Sequence, residues 1–238
     1  MKHLVTTVTV LVALATGALV QAQTPEFDAL RTRAEQGDAE AQYEFGCMYD
    51  VGCLDETVLS NGLDLEIDAL GDAEAARWYR LAAEQGHAAA QSRLGDFHQF
   101  GYGVPQDYAE AVRWHRSAAE QGGAVAQYNL GVRYAIGRGV PQDDGEAVRW
   151  CRLAAEQGYV DAQWNLGLMY EGGVGVPQDY VVAYVWLNLS ASRRNSADSN
   201  RELVVHGRDR VVGKMNPDQL AEAQRLARAW DAAHPRNP

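Results

Sequence analysis

The stretch from Ala126 to Gly158 reads AQYNLGVRYAIGRGVPQDDGEAVRWCRLAAEQG, and the chain on either side of it repeats the same phrases. Trp150 within it follows Trp78 and Trp114 and precedes Trp186, each 36 residues from the next. The phrase around the tryptophan, A-x-R-W-x-R-x-AAEQG, closes at Gly86, Gly122 and Gly158. Leu94, Leu130 and Leu166 keep the period in A-Q-x-x-L-G, and Pro105, Pro141 and Pro177 keep it in G-V-P-Q-D or a near variant. Self-similarity at this period marks a repeat array built from one small supersecondary unit, so counting domains from length does not apply.

Each unit reads as two helices. From Asp107 to Gln121, Ala111, Trp114, Ala118 and Ala119 recur at three- and four-residue steps, which puts them on one helical face. Asp107 is placed to cap that helix after Pro105, and Gly122 or Gly123 to supply the left-handed residue that stops it. From Val125 to Ile136 the pattern recurs with Leu130, Tyr134, Ala126 and Gly131. A mid-helix glycine costs about 1 kcal/mol relative to alanine. Its return at Gly95 and Gly167 predicts close approach of a neighbouring helix, with a large ring such as Trp114 over it.

The phrases 126–158 and AQWNLGLMYEGGVGVPQDYVVAYVWLNLSAS, 162–192, resemble the Sel-1-like repeat, a relative of the tetratricopeptide repeat. The resemblance covers 28–192 and frames four repeats starting near residues 39, 88, 124 and 160, with Phe27 to Gly37 as a preceding helix. It implies an all-α, right-handed α-solenoid of antiparallel helix pairs acting as a protein-protein interaction scaffold. Where the first repeat should carry G-V-P-Q-D, the chain inserts 54–70, with Asp55, Glu56, Asp64, Glu66 and Asp68 and no basic residue. This reads as a solvated acidic loop; the alternative, a hard-cation site, lacks the ligand ladder of an EF-hand.

Transferring the tetratricopeptide groove positions by resemblance selects slots on the A-Q-x-x-L-G helices. They are Glu40, Tyr43, Cys47 and Asp50; Ala89, Ser92, Asp96 and Gln99; Val125, Tyr128, Val132 and Ala135; and Asp161, Trp164, Leu168 and Glu171. These vary between repeats while the packing positions stay fixed. The column Tyr43, Ser92, Tyr128, Trp164 offers three aromatic anchors for a protein or peptide partner, and Asp96, Asp161 and Glu171 select positive charge.

After Ser192 the period stops, and 193–235 reads as a helical cap on the array. Arg193, Arg194, Arg201, Arg208, Arg210 and Lys214 make this the one locally basic segment. Asn216-Pro217-Asp218-Gln219 starts a final helix running to about Asp231, with Leu220, Ala223, Leu226, Ala227 and Trp230 on its apolar face.

Residues 1–22 read as a signal peptide: Lys2, an apolar run from Leu4 to Val20, and Val20-Gln21-Ala22 at the cleavage position. The expected location is therefore periplasmic or secreted, with no membrane insertion after cleavage. The formal charge of −11 argues against nucleic acid and anionic membrane as partners. Cys47 and Cys53 are disulfide candidates in an oxidising compartment, and Cys151 reads as a buried thiol.

No catalytic motif appears, so no enzyme, metal or cofactor is expected. His87, His98, His115 and His206 occupy non-equivalent positions, and His115 sits in the packing slot held elsewhere by Tyr79, Cys151 and Leu187. A cysteine-rich branch of the resembling family implies an alternative, binding or hydrolysis of β-lactams and cell-wall-like substrates. That branch carries a regular cysteine pair in every repeat, which this chain does not.

Overall fold

The computed structural model describes residues 25–50, 53, 69–194 and 199–235. Among these there are eleven α-helices and no strand. Two compact units are present. One comprises the described residues up to Ala90 with Tyr102–Val104, and the other comprises Gln91–Gly101 and the described residues from Pro105 onward. Residues 1–22, read above as a signal peptide, and the acidic insertion lie outside the described residues, apart from Ala69 and Leu70 at the start of a helix.

The first unit holds α1 (Pro25–Glu35), α2 (Ala39–Cys47) and α3 (Ala69–Glu84). Asp38 caps α2 by accepting from the Ala41 amide at 3.0 Å, satisfying one of the donors a helix start leaves open. Phe27, Ala34, Ala41, Phe45 and Trp78 form its core, with Phe45 edge-on to Trp78 at 5.0 Å. The fully buried Tyr79 ring lies over Gly46, where a Cβ would meet the ring at 2.8 Å.

The second unit contains most of α4 (Ala88–Phe100), then α5 (Tyr108–Glu120), α6 (Ala124–Ile136), α7 (Asp144–Glu156), α8 (Val160–Gly172), α9 (Tyr180–Arg193), α10 (Arg201–Val212) and α11 (Pro217–Ala233). The G-V-P-Q-D connections end in caps: Asp107, Asp143 and Asp179 accept from the amides of Glu110, Glu146 and Val182 at the starts of α5, α7 and α9. Gly139 in one connection has φ +81° and presses on the Tyr108 backbone, so both its conformation and its lack of a Cβ are required.

The ring expected over the mid-helix glycine is not the tryptophan. Gly131 faces Cys151, whose Sγ would lie 2.8 Å from an added Cβ; Gly95 faces His115 at 2.7 Å and Gly167 faces Leu187 at 2.6 Å. The helix pair thus makes its closest approach one residue after the tryptophan. In consequence His115 is fully buried together with Val112, while Trp114 is only partly buried. Trp78, Trp114 and Trp150 carry the guanidinium of the preceding arginine over their rings at 4.5, 4.7 and 4.1 Å. Each of these arginines is held by a glutamate three residues before it.

A glutamine relay recurs inside the units. Gln85 donates to Gln42 at 2.7 Å, Gln121 to Gln91 at 2.8 Å and Gln157 to Gln127 at 2.8 Å. The buried acceptors Gln42 and Gln127 donate in turn to the carbonyls of Ala34 and Ala119. These bonds pair the buried side-chain amides of Gln42, Gln91 and Gln127. The relay ends at Arg193, which stands where glutamine is due and reaches Asp231 of α11 at 2.7 Å.

The C-terminal segment contains one helix more than the sequence predicts. α10 precedes α11, and both pack on α9. α11 begins with a reciprocal box, Asn216 accepting from the Gln219 amide and Gln219 from the Asn216 amide at 2.9 and 3.0 Å. Ala223 and Ala227 are buried, and Trp230 meets Trp186 edge-on at 5.9 Å.

Candidate functional site

The selected slots fall on α2, α4, α6 and α8, and they differ in what surrounds them. In the first unit Tyr43 stacks on His87 at 4.7 Å, and His87 meets the Glu40 carboxylate at 3.0 Å. Cys47 lies against Cys53 with Cα atoms 5.2 Å apart. The Tyr79 hydroxyl donates to the buried Asp50 carboxylate at 2.8 Å beside this cysteine pair. These slots are therefore tied into their own unit.

In the second unit Ser92 and Asp96 are half-buried and Gln99 is buried. Asn129 donates to Asp96 at 2.9 Å, and the His115 ring nitrogen Nε2 lies 3.6 Å from the same carboxylate. Burial, and then the charge of Arg133, push the His115 pKa down to about 3, so this ring is neutral behind Asp96. One repeat further on, Tyr128 and Val132 are half-buried on α6. The Tyr128 ring meets Tyr159 at 5.1 Å. Burial, and then the Asp161 charge, raise both phenols, Tyr159 to about 12. Both tyrosines stay uncharged rings with a carboxylate nearby.

The fourth repeat is occupied. Trp164 and Leu168 pack against the buried cluster that contains Val211 of α10 and Ala223 of α11. Gly207 of α10 lies directly on the Trp164 ring. Glu171 accepts from Arg210 at 2.6 Å, a hydrogen bond that holds its carboxyl below the usual range, and Asp161 pairs with Arg194. The sequence singles out both arginines as part of a basic segment but does not pair them with these acids. The lapse of the glutamine and glycine period at Arg193 and Arg194 is the signal that could have done so.

Among the described residues no group of three or more His, Cys, Asp or Glu is placed to hold a metal ion. Burial pushes the Cys151 thiol up to about 12, which leaves it unreactive at neutral pH. No described helix is long and apolar enough to cross a membrane.

Helix pairs that close on a mid-helix glycine in every repeat, joined by capped connections and presenting a variable set of side chains on their first helices, define a repeat scaffold of the tetratricopeptide-like class. The chain belongs to the Sel1 repeat family, whose model matches 39–87, 88–123, 124–159 and 160–195. Proteins of this family are generally interaction scaffolds without enzymatic activity. A protective antigen present in uropathogenic Escherichia coli strains, displaying an SLR fold, is 33% identical with a TM-score of 0.72 over 91% of this chain and 43% of that one. This chain therefore spans less than half the length of that protein. A Sel1 repeat protein from Oxalobacter formigenes is 31% identical with a TM-score of 0.60, over 77% of this chain and 74% of that one. These relatives support an all-α solenoid fold. No curated protein matches the chain.

Proposed function

We propose that the chain is an exported, non-enzymatic scaffold of the cell envelope or the extracellular space that captures a segment of another protein on its first-helix slots. The observation that carries this reading is the contrast between positions. The mid-helix glycine against which the second helix closes is kept in every repeat, as Gly46, Gly95, Gly131 and Gly167. By contrast, the selected slots of α4 and α6 change character from repeat to repeat. A fold that holds its framework constant and varies one face is suited to recognition. Half-buried rings such as Tyr128 are the kind of residue on which interface energy concentrates.

Export is supported by the apolar run 4–20 and the cysteine pair. The similar Escherichia coli protein is a protective antigen, which fits a chain reachable from outside the cell. Proximity labelling and pull-down of the mature protein in its native envelope test the proposal. A stoichiometric protein partner is expected; no partner, together with turnover of a β-lactam, would overturn it.

A further inference from the structure

We infer that Arg133 and Arg138, which converge on the ring of Tyr108, form an anion site that takes an acidic side chain of the captured segment. This rests on the scaffold reading above and names one chemical requirement of the partner.

At the position of Arg133 the first repeat carries Met48, the second Phe97 and the fourth Met169. Met48 and Met169 pack on the cores of their repeats, and Phe97 is buried. Arg133 places a guanidinium in this apolar slot and is itself only 8% exposed. Its Nε is enclosed without a hydrogen-bond partner, and among the described residues no acid forms an ion pair with it. Burial, and then the charge of Arg138, hold its pKa below the usual value. A buried cation without a counter-ion is costly to the fold. A ligand that supplies the missing charge accounts for its presence.

The turn that ends α6 brings a second guanidinium to the same place. Gly137, at φ +64°, reverses the chain so that the Arg138 amide donates to the Arg133 carbonyl at 3.2 Å. The guanidinium carbons of Arg133 and Arg138 stand 6.0 and 5.0 Å from the centre of the Tyr108 ring. Arg138 is exposed and Tyr108 half-buried, so the pair opens to solvent on that side. The acids beside Tyr108 in the chain are engaged: Asp107 accepts from the Ala109 and Glu110 amides, and Glu110 pairs with Arg113. Asp96 acts on Arg133 through its charge, but its carboxylate accepts from Asn129 and forms no ion pair with that arginine. Two guanidiniums beside one carboxylate leave a single positive charge, which suits a monoanionic carboxylate better than a phosphate dianion. The net charge of −11 disfavours a polyanion as well. An arginine fork can hold a carboxylate through two parallel hydrogen bonds.

NMR titration of the nitrogen-labelled full chain with acetyl-glutamate amide, a single carboxylate, tests this through the Nε–H resonances of Arg133 and Arg138 at constant ionic strength. Saturable shifts of both are expected. Arg133→Met and Arg138→Gln should each weaken binding about tenfold or more, read from the remaining resonance. Methionine is what the first and fourth repeats carry at that position, so Arg133→Met should leave the urea midpoint unchanged or raise it. Shifts that never saturate overturn the inference, as does tighter binding of inorganic phosphate than of the carboxylate. A lowered midpoint with carboxylate binding intact also overturns it, since Arg133 would then serve only the end of α6. Arg138→Gln alters an exposed side chain and keeps the test decisive if Arg133→Met does not fold. A partner captured from the envelope equally well by Arg133→Met and the parent chain removes this site and leaves the scaffold reading standing; a parent chain that captures nothing removes the scaffold reading itself.

Discussion

His115 shows how one position decides a local balance. Its ring fills the slot over Gly95 with no exposure, and burial holds its pKa at about 3 against an unfolded value of 6.5. The unfolded chain binds a proton below pH 6.5 that the folded chain refuses, so the folded state loses stability as pH falls through this window. The loss approaches about 1.4 kcal/mol per pH unit. Leu187 occupies the equivalent slot, so His115→Leu is compatible with the site and should flatten the pH dependence of urea midpoints between pH 6.5 and 4 relative to the parent chain. Parallel curves for the two proteins would refute the assignment. Gly131 gives a second test. Alanine there gains about 1 kcal/mol of helix propensity but drives a Cβ to 2.8 Å from the Cys151 Sγ. Overpacking of this kind costs about 1–3 kcal/mol, so Gly131→Ala should be net destabilising. The double variant with Cys151→Ala should lose less than the sum of the two singles in denaturant titrations.

At the scale of elements, the Cys47 and Cys53 pair joins the end of α2 to the connection that follows. Closing a loop this short contributes about 2 kcal/mol by the chain-entropy argument. Unreduced peptide mapping should find the 47–53 link, and reductant should lower the melting temperature; a Cys47→Ser/Cys53→Ser variant that melts unchanged would argue against it. Elements also show what could be read in advance. The hairpins, their aspartate caps and the glycine turns were legible because each signal occurs several times at one spacing, and repetition separates it from chance. α10 was not, since Arg201 to Val212 occurs once and distributes Arg201, Glu202, Arg208, Asp209 and Arg210 around the helix, with Val204, Gly207 and Val211 alone as its buried side. The identity of the ring over the mid-helix glycine also escaped. The pattern gives the apolar face of each helix, but the point of closest approach is set by how two helices cross. For the candidate site, the slots on α6 and α8 were legible as variable positions. That α10 already sits on Trp164 and Glu171 was not, because local sequence carries no information on which distant segment returns to a face.

For the molecule as a whole, an array has no single centre, so its stability is the sum of each repeat and its contacts with the next, and its ends need covering. Arg193 and Trp230 do this for the fourth repeat. Trp230 stands edge-on to Trp186, carries the Arg193 guanidinium over its face at 4.7 Å and stacks on His234 at 4.1 Å. In the earlier repeats the preceding arginine covers the tryptophan; here Val185 takes that place and α11 supplies the cover. Trp230→Ala should therefore cost about 2–3 kcal/mol, somewhat below the range for a fully buried aromatic, because its ring is only partly enclosed. Nearest-neighbour coupling also predicts where the loss appears. Amide exchange should quicken first in α8, α9 and α11, with protection in α2 and α3 changing least, because each repeat feels mainly its neighbours. A uniform loss of protection along the chain would instead show that the array unfolds as one cooperative block.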